Sequence, residues 1–579
     1  MSGAHTPTTS AEDTLRFARE WAEQDPDPVT RAETQELISR AATGDVEAVA
    51  RLAADYTGRL AFGTAGLRAE LGAGPLRMNR MVVSQTSAGF ARYLLERGSQ
   101  HAGEAPSIVI GYDARVNSDV FARDTAELMA GAGLRVFLLP EALPTPVTAF
   151  AVRHLSVDAG VMVTASHNPP RDNGYKVYLG GPDQGSQIAP PQDSDIAAHI
   201  DRVAAEPVPG LPRSQAFTVL GPELLDAYVA ETARAFAQDS VAADAEPLRV
   251  AYTAMHGVGA ETARRVYAAA GFPAVCPVPE QDAPDGAFPT VSFPNPEEPG
   301  ALDLAFRTAR ECDADLIIAH DPDADRLAIA LPDADATEGY RALTGNQLGL
   351  LLGWRSAEAH RAAGGTGGAL ACTIVSSPAL GAVAREYGMD YAETLSGFKW
   401  VSRVPGLVFG FEEALGYLVN PDLVRDKDGV SASAMVLDLA AELRTEGRTL
   451  WDQLDAAAER FGAFESGQLT LRLGGVPEVE AVAARIREEP PTAFGAVAVA
   501  RLTDLLEPGH SVIPANVLRF DLADGSRVMI RPSGTEPKLK LYLDTFSEQG
   551  SAAERRAAAQ AALSALSAAA EALIEAVRP

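Results

Sequence analysis

A serine at the end of a predicted strand is the first residue of this chain whose type and position suggest chemistry. Ser166 and His167 follow an apolar run at residues 161–163. A strand that ends in such a loop places a hydroxyl at the sheet edge, where nucleophiles are common. No GxSxG motif surrounds Ser166, which disfavours a hydrolase triad. His167 is predicted to be an electrostatic partner or a proton shuttle, and the alternative for Ser166 is an ordinary capping or surface serine.

Three aspartates at alternate positions predict a site for a hard cation. Asp321, Asp323 and Asp325 follow an apolar strand. Alternate carboxylates in a tight loop can converge on Mg²⁺ or Mn²⁺, because these ions prefer oxygen ligands. An EF-hand loop is excluded, since Arg326 and Pro332 stand where that loop needs Gly and Glu. A solvated acidic turn is the remaining alternative.

A loop near the C-terminus has the residue types of a phosphate-binding site. Gly534 permits close backbone approach, and the hydroxyls of Ser533 and Thr535 can donate hydrogen bonds. Arg531 can pair bidentately with phosphate oxygens, and Lys538 adds positive charge. An ordinary β-turn is the alternative. A nucleophile, a metal site and a phosphate-binding loop in one chain together predict phosphoryl transfer.

Further loops carry polar residues directly after apolar runs. Glu412 and Glu413 follow an apolar strand, so they suit hydrogen bonding to sugar hydroxyls, although a solvated helix start is also compatible with them. Lys399 follows Gly397, and Lys427 precedes a glycine by two positions. Each of these two loops is a weak indication when taken alone.

The composition restricts the class of partner. The 49 basic and 78 acidic residues give a net charge of −29, which argues against nucleic acid or an anionic membrane as a partner. Three scattered cysteines without a CxxC motif indicate a reducing compartment. We find no signal-peptide pattern and no apolar run near the roughly 18 residues of a membrane span. These features predict a cytoplasmic protein.

The length of 579 residues predicts about four domains. Residues 10–60 are predicted to be helical, with a break at Pro26 and Pro28. Short apolar runs then alternate with helical stretches, which predicts largely parallel sheets covered on both faces. The last part is rich in predicted strands and ends in an alanine-rich helix after Ser551. The predicted domains are 1–212, 213–335, 336–462 and 463–579.

Together these segments resemble the α-D-phosphohexomutase superfamily, from about residue 20 to the C-terminus. The branch that contains phosphopentomutases and glucose-1,6-bisphosphate synthases is the most similar. The resemblance implies three similar α/β domains with mixed, mostly parallel sheets and a C-terminal α+β domain, around one central cleft. Residues 63–68 are similar to the family's N-terminal Arg loop. His320 precedes the metal loop at a position where the family commonly has Asn.

The resemblance also implies a role for each motif. Ser166 becomes the phosphorylated residue, with Arg68 beside it and His167 and Lys176 as candidate proton carriers. Ser166, Asp321, Asp323 and Asp325 hold Mg²⁺. The implied substrate-binding residues are Arg326, Gly397, Lys399, Glu412, Glu413, Lys427, Arg531, Ser533, Gly534, Thr535 and Lys538.

The implied reaction moves a phosphoryl group between the 1- and 6-hydroxyls of a hexose phosphate, most simply as a phosphoglucomutase. Glucose 1,6-bisphosphate would be its intermediate and activator, sugar phosphates its only partners, and the protein a monomer or a homodimer. A phosphomannomutase, a phosphopentomutase and a sugar-1,6-bisphosphate synthase are the alternatives. A sensor that has lost catalysis is disfavoured, because the serine and all three aspartates are present.

Overall fold

The computed structural model describes residues 10–63, 66–236, 247–511, 513–533 and 537–578. These residues form two compact units. Unit 1 holds the described residues up to 236 together with 247–342 and 420–434, and unit 2 holds 343–419 and 435–578. The segment 420–434 therefore packs with unit 1, although it lies between residues of unit 2 in the sequence. The four domain boundaries drawn from the sequence stay a prediction.

Most of the helices begin after a polar cap, a proline or a turn. In chain order they are α1 (Ala11–Gln24), α2 (Pro28–Ala42), α3 (Val46–Tyr56), α4 (Arg80–Arg97), α5 (Ser118–Gly131), α6 (Thr145–His154), α7 (Gln192–Ala204), α8 (Glu223–Ala235), α9 (Gly259–Ala269), α10 (Asp303–Glu311), α11 (Gly345–Ala362), α12 (Ala379–Tyr387), α13 (Phe398–Val401), α14 (Gly429–Thr445), α15 (Leu450–Phe461), α16 (Val476–Glu488) and α17 (Ala552–Val577).

The strands form four sheets, two in each unit. In chain order they are β1 (Leu67–Glu70), β2 (Ser107–Tyr112), β3 (Arg135–Leu138), β4 (Ala159–Val163), β5 (Asp172–Leu179), β6 (Ser186–Gln187), β7 (Thr218–Val219), β8 (Val250–Thr253), β9 (Cys276–Pro277), β10 (Leu316–Ala319), β11 (Ala328–Pro332), β12 (Tyr340–Ala342), β13 (Ala369–Thr373), β14 (Asp390–Thr394), β15 (Leu407–Glu412), β16 (Gly416–Leu418), β17 (Ala463–Arg472), β18 (Ala493–Phe494), β19 (Val497–Asp504), β20 (Leu518–Leu522), β21 (Arg527–Pro532) and β22 (Lys538–Ser547).

The two sheets of unit 1 are mixed. The first has the order β1-β5-β4-β2-β3-β7, in which β4, β2, β3 and β7 are parallel and β5 runs antiparallel to β4. The second has the order β12-β11-β10-β8-β9, with β10, β8 and β9 parallel. Strands β4 and β10 are buried along their whole length, as expected for parallel strands covered on both faces. Their carboxyl ends lead into the serine loop and the aspartate loop.

The two sheets of unit 2 differ in kind. In the order β14-β13-β15-β16, the first three strands are parallel and β16 is antiparallel. The sheet β17-β22-β21-β20-β19-β18 is antiparallel throughout. Helix α17 packs against β17 and β22 through Leu563, Leu566 and Ile574. By length and composition alone this helix is apolar enough to cross a membrane, so the expectation that no apolar run approaches that length was wrong.

Most of the expected elements are confirmed. The break at Pro26 and Pro28 separates α1 from α2, which starts at Pro28 with Asp27 as its cap. The alanine-rich helix starts directly after Ser551, whose side chain caps it. Strand β14 was not predicted, because one exposed and four half-buried residues form this edge strand. The α/β class with a C-terminal α+β domain is confirmed.

Helices α4 and α7 approach closely at Gly89. A Cβ atom at residue 89 would lie 2.6 Å from Cα and 2.7 Å from N of Ile200. Backbone atoms cannot move aside as a flexible side chain can, so only glycine fits here. The contact lies beside the core that covers one face of the first sheet.

We expect Gly89→Ala to destabilise the protein by about 2 kcal/mol through overpacking. Replacing glycine by alanine in a helix interior normally stabilises a protein by up to about 1 kcal/mol. The sign of the change in the free energy of unfolding therefore tests the prediction. Urea unfolding would measure it. Gly210→Ala is the matched control, because a Cβ there would have no atom of the described residues within 4 Å apart from its chain neighbours. Equal effects of the two substitutions would contradict the close approach.

Candidate active site

The serine loop begins where the buried strand β4 ends. Ser166 is buried and has a φ of 55°, a left-handed conformation that non-glycine residues rarely adopt. Its backbone N–H donates to Oγ1 of Thr164 at 2.8 Å, and the Thr164 hydroxyl donates to Asp113 at 2.6 Å. A buried network therefore holds the strained turn and fixes the direction of the Ser166 hydroxyl.

Arg115 clamps the same loop and was missed in the sequence. Its guanidinium, which is buried, donates to the carbonyl oxygens of Ser166 (2.7 Å), Asn168 (2.6 Å), Pro169 (2.9 Å) and Asp172 (3.0 Å). Four carbonyl groups are thereby satisfied by one planar donor. The available signal was an acid and a base two residues apart, Asp113 and Arg115, directly after the buried strand β2.

The aspartate loop faces the serine. Asp321, Asp323 and Asp325 are fully buried, and one oxygen from each lies within 4.8 Å of the others. The Ser166 hydroxyl donates to Oδ2 of Asp321 at 3.0 Å. Two loops separated by more than 150 residues thus meet in unit 1. Because the three carboxylates are buried, the alternative of a solvated acidic turn is wrong.

Lys176 on β5 binds two of these carboxylates. Its Nζ lies 2.7 Å from Oδ2 of both Asp323 and Asp325. Thr145 also donates to Oδ2 of Asp323, at 2.6 Å. In the part of the chain that the structure describes, Oδ1 of Asp323 and Oδ1 of Asp325 are buried without a hydrogen-bond partner. Two unpartnered carboxylate oxygens beside Asp321 fit a hard divalent cation such as Mg²⁺.

The charges in this cluster are strongly coupled. Burial raises the pKa of Asp321 well above its usual range, and the neighbouring carboxylates add to the rise. Burial also opposes ionisation of Asp323, but Lys176 outweighs it and holds the pKa of Asp323 low. Desolvation opposes the charge on Lys176, yet the surrounding aspartates raise the pKa of this lysine above its ordinary value. Lys176 is therefore a cation here.

His167 is held neutral. Burial, followed by the positive charges of Arg326 and Arg68, lowers the pKa of His167 to about 2. Its Nδ1 lies 3.1 Å from the Ser166 hydroxyl oxygen, and its ring is nearly parallel to that of Phe293 at a centroid distance of 6.2 Å. A pKa this low makes the imidazole a poor proton acceptor near neutral pH, so His167 acts here as a hydrogen-bond partner of the Ser166 hydroxyl.

Three more of the predicted residues lie at this site. Arg68 donates to the side chain of Asn168 at 3.0 Å, so it reaches the serine loop. The backbone N–H of Arg326 donates to Asp321 at 3.0 Å. Nζ of Lys427 lies 3.4 Å from Oδ2 of Asp325.

Segment 420–434 brings Lys427 to the aspartate loop. Asp426 accepts from the hydroxyl of Tyr178 at 2.9 Å, and Asp428 accepts from the hydroxyl of Tyr228 at 2.9 Å. Both aspartates are buried, so the lysine between them is held from two sides. The carbonyl of Gly429 lies 3.0 Å from Nε2 of His320, the residue before the aspartate loop.

The remaining predicted residues belong to unit 2. Glu412 ends β15, and Glu413 accepts from the hydroxyls of Ser376 (2.9 Å) and Thr373 (3.1 Å). Gly397 precedes α13 with a φ of 113°, and Nζ of Lys399 lies 5.6 Å from the ring centre of Trp400.

The phosphate-binding loop is described only in part. Arg531 donates to Ser396 at 3.3 Å, which joins the end of β21 to the loop before Gly397. The backbone N–H of Ser533 donates to the carbonyl of Lys538 at 2.9 Å. Gly534 and Thr535 lie outside the described residues, as do Thr64 and Ala65 of the predicted Arg loop.

Comparison with known proteins adds independent findings. Family models described as phosphoglucomutase/phosphomannomutase domains I, II and III and C-terminal domain match residues 59–206, 226–334, 344–461 and 477–562. A probable phosphomannomutase of Haemophilus influenzae is 50% identical over 478 residues, which cover 83% of this chain and 95% of that protein. A Homo sapiens phosphopentomutase is 35% identical over 575 residues, covering 92% of this chain and 91% of that protein.

A solved structure shows the same fold. The crystal structure of a phosphoglucomutase/phosphomannomutase family protein from Burkholderia thailandensis superimposes with a TM-score of 0.69 at 20% sequence identity. The match covers 90% of this chain and 98% of the other. At this identity the likeness concerns the fold alone.

We expect Arg115→Lys to loosen the serine loop. A lysine ammonium cannot reach four carbonyl oxygens in the planar fork of a guanidinium, so at least one becomes unsatisfied. Amide hydrogen exchange over residues 164–172 should accelerate by about tenfold or more. Arg123→Lys, at an exposed arginine of α5, is the matched control. Unchanged exchange in the Arg115 variant would show that the clamp is dispensable.

We expect His320 to make stability dependent on pH. Burial lowers the pKa of His320 to about 4, so the unfolded chain takes up its proton near pH 6.5 while the native state does not. Stability is therefore full above pH 6.5 and falls as the pH drops from 6.5 to 4. His320→Asn should reduce this loss by about 2 kcal/mol. Urea unfolding at pH 7 and pH 4.5 would measure it, and identical pH slopes would contradict the burial effect.

Proposed function

This chain belongs to the α-D-phosphohexomutase superfamily and is an intramolecular phosphotransferase of the phosphoglucomutase/phosphomannomutase type; on that premise we propose that it moves a phosphoryl group between the 1- and 6-hydroxyls of a hexose phosphate. The observation that carries the proposal is the hydroxyl of Ser166, 3.0 Å from a carboxylate of the buried Asp321, Asp323 and Asp325 group. A serine in this position suits a phosphoryl carrier.

Ser166 carries the phosphoryl group in the resting enzyme under this proposal. A free hydroxyl of the bound sugar phosphate attacks the phosphorus, the bond to the Ser166 oxygen breaks, and a sugar bisphosphate forms. The bisphosphate turns over and its other phosphoryl group passes back to Ser166. The products are the isomeric sugar phosphate and the rephosphorylated serine, so no net phosphate is consumed. Glucose 1,6-bisphosphate would then be both the intermediate and the activator.

Proton transfer and charge compensation fall to different groups. The proton of the attacking sugar hydroxyl ends on the Ser166 oxygen that leaves. His167, with Nδ1 3.1 Å from that oxygen, suits a hydrogen bond to it, whereas the protonated Lys176 suits charge compensation. Arg68 on β1 donates to Asn168 of the serine loop, so its positive charge would stabilise the negative charge of the phosphoryl oxygens. Mg²⁺, held by Asp321, Asp323, Asp325 and an oxygen on Ser166, would neutralise charge on the transferring group.

We assign substrate binding mainly to unit 2. The loop with Glu412 and Glu413 suits sugar hydroxyls, and the loop with Arg531, Ser533 and Lys538 suits the phosphate that is not being transferred. Gly534 and Thr535 complete that loop in the sequence. Gly397, Lys399, Arg326 and Lys427 are the further proposed contacts. Since the bisphosphate must bind in two orientations, the same loop has to accept a phosphate at either end of the sugar.

The sugar itself is a separate question. The Haemophilus influenzae relative favours mannose as a candidate beside glucose, and the similarity to a human phosphopentomutase over most of the chain favours a pentose phosphate as the second candidate. The same site residues are also compatible with a sugar-1,6-bisphosphate synthase, which is the alternative function. The cytoplasmic location, the oligomeric state and the absence of nucleic-acid or membrane partners stay predictions.

We expect turnover of glucose 1-phosphate or mannose 1-phosphate, with Mg²⁺ and a trace of sugar bisphosphate, to exceed that of ribose 1-phosphate. Ser166→Ala should reduce kcat by at least about a thousandfold, because the phosphoryl acceptor is lost. Ser156→Ala is the matched control, since Ser156 also has a positive φ, 50°, but is exposed. Near-normal turnover by the Ser166 variant would refute the carrier role. Net bisphosphate formation from a separate phosphoryl donor, without isomerisation, would instead indicate a synthase.

A further inference from the structure

A buried arginine joins the C-terminal sheet of unit 2 to the neighbouring parallel sheet. Arg527, the first residue of β21, is 3% exposed. Its guanidinium donates to Asp544 (2.8 Å) on the adjacent strand β22 and to Glu393 (2.8 Å) on β14. A third bond, of 2.7 Å, reaches the backbone carbonyl of Ser376 in the loop after β13. The arginine therefore binds both an ion-pair network and one loop of the parallel sheet.

Ser376 connects this arginine to the loop that we assign to sugar binding. The side chain of Ser376 is fully buried. Its hydroxyl donates to Oε2 of Glu413 at 2.9 Å and accepts from the backbone N–H of Glu413 at 3.0 Å. The hydroxyl of Thr373 lies 2.8 Å from that of Ser376 and donates to the same carboxylate oxygen at 3.1 Å. Glu413 is therefore fixed at both its backbone and its side chain.

The position of Glu413 sets the shape of the turn between β15 and β16. Glu412 pairs with Gly416 across this turn, and Leu415 has a φ of 61°. A turn with a non-glycine residue in the left-handed region needs outside contacts to hold it. The contacts of Glu413 with Ser376 and Thr373 are such contacts. The side chain of Glu413 is thus bound to protein hydroxyls.

A buried guanidinium is not needed merely to join two sheets, because its desolvation is unfavourable. The ion pairs with Asp544 and Glu393 compensate for the desolvation of Arg527, but well-packed apolar side chains often stabilise such an interface equally well. A planar donor can do what an apolar residue cannot: it can set the position of a carbonyl group relative to two carboxylates. This property favours a role for Arg527 in positioning the carbonyl group of Ser376.

We propose that Arg527 is a positioning residue for the sugar-binding loop, acting through Ser376, and that Glu413 anchors this loop. This inference rests on the proposed function. It predicts that a change at β21, in another sheet, weakens sugar binding without touching the phosphoryl-transfer residues of unit 1.

Arg519 provides a matched control. It binds the same carboxylate, Glu393, at 2.5 Å, and it also pairs with Asp521 at 2.8 Å on its own strand β20. No contact between Arg519 and Ser376 is found among the described residues. Arg519→Lys therefore perturbs the same ion network without perturbing the path to Glu413.

The experiment compares Arg527→Lys, Ser376→Ala, the double variant and Arg519→Lys. We expect KM for the best sugar phosphate to rise about tenfold in each of the first two, because a buried hydrogen bond to a charged group is lost, while kcat changes less than about threefold. The double variant should resemble Ser376→Ala alone, since both act on one path. Arg519→Lys should leave KM unchanged. Additive effects, or an equal rise in KM for Arg519→Lys, would overturn the proposal.

A second measurement needs no substrate. Amide hydrogen exchange over residues 410–418 should accelerate in Arg527→Lys and Ser376→Ala but not in Arg519→Lys. Unchanged exchange in the first two variants would overturn the inference even if the enzyme is a mutase. If the unmodified protein turns over no sugar phosphate, the proposed function fails, and the exchange experiment still decides whether Arg527 positions the loop.

Discussion

Unit 1 depends on the burial of three carboxylates in one loop. Such a cluster is unfavourable unless cations and donors compensate for it, because each charge loses its hydration and repels the others. Lys176 provides one positive charge, at 2.7 Å from two of the aspartates. Strand β5 lies beside β4 in the first sheet, and from there Lys176 reaches the loop after β10. Thr145 at the start of α6 adds a further donor from the first sheet.

The serine loop shows how backbone strain is held at the proposed phosphoryl carrier. A left-handed Ser166 is unfavourable by roughly 1 kcal/mol or more, and the structure offsets this with buried polar contacts from Thr164, Asp113 and Arg115. The result is a hydroxyl whose direction does not depend on solvent. A preorganised nucleophile beside a cation site needs little rearrangement when charge moves, which is the main source of rate in phosphoryl transfer.

Unit 2 has a similar arrangement beside the loop that we propose for sugar binding. A buried charge, Arg527, is stabilised by carboxylates from two strands and applies its remaining donor to a loop carbonyl. In unit 1 the lysine leaves two carboxylate oxygens available for a cation, and in unit 2 the arginine, through Ser376, holds a carboxylate that shapes a turn. In both cases an internal ion pair sets the geometry of a functional group that lies next to it.

The sequence alone determined the local elements and the types of chemistry. Apolar runs predicted strands such as β2, β4 and β10, because a buried strand needs apolar side chains on both faces. The spacing of Asp321, Asp323 and Asp325 predicted an oxygen site, and Arg531 with its neighbours predicted a phosphate loop. Thr145 and Ser376 could not be recognised, because their partners are remote in the chain and each looks like an ordinary polar residue. Arg115 had a local signal in its spacing from Asp113, but its four carbonyl partners are defined only by the fold. Only the tertiary structure decided that Lys176 is a charged partner of Asp323 and Asp325 and that segment 420–434 packs with unit 1. The reason is physical: protonation and loop position depend on which charges are buried together, and burial is a property of the folded chain.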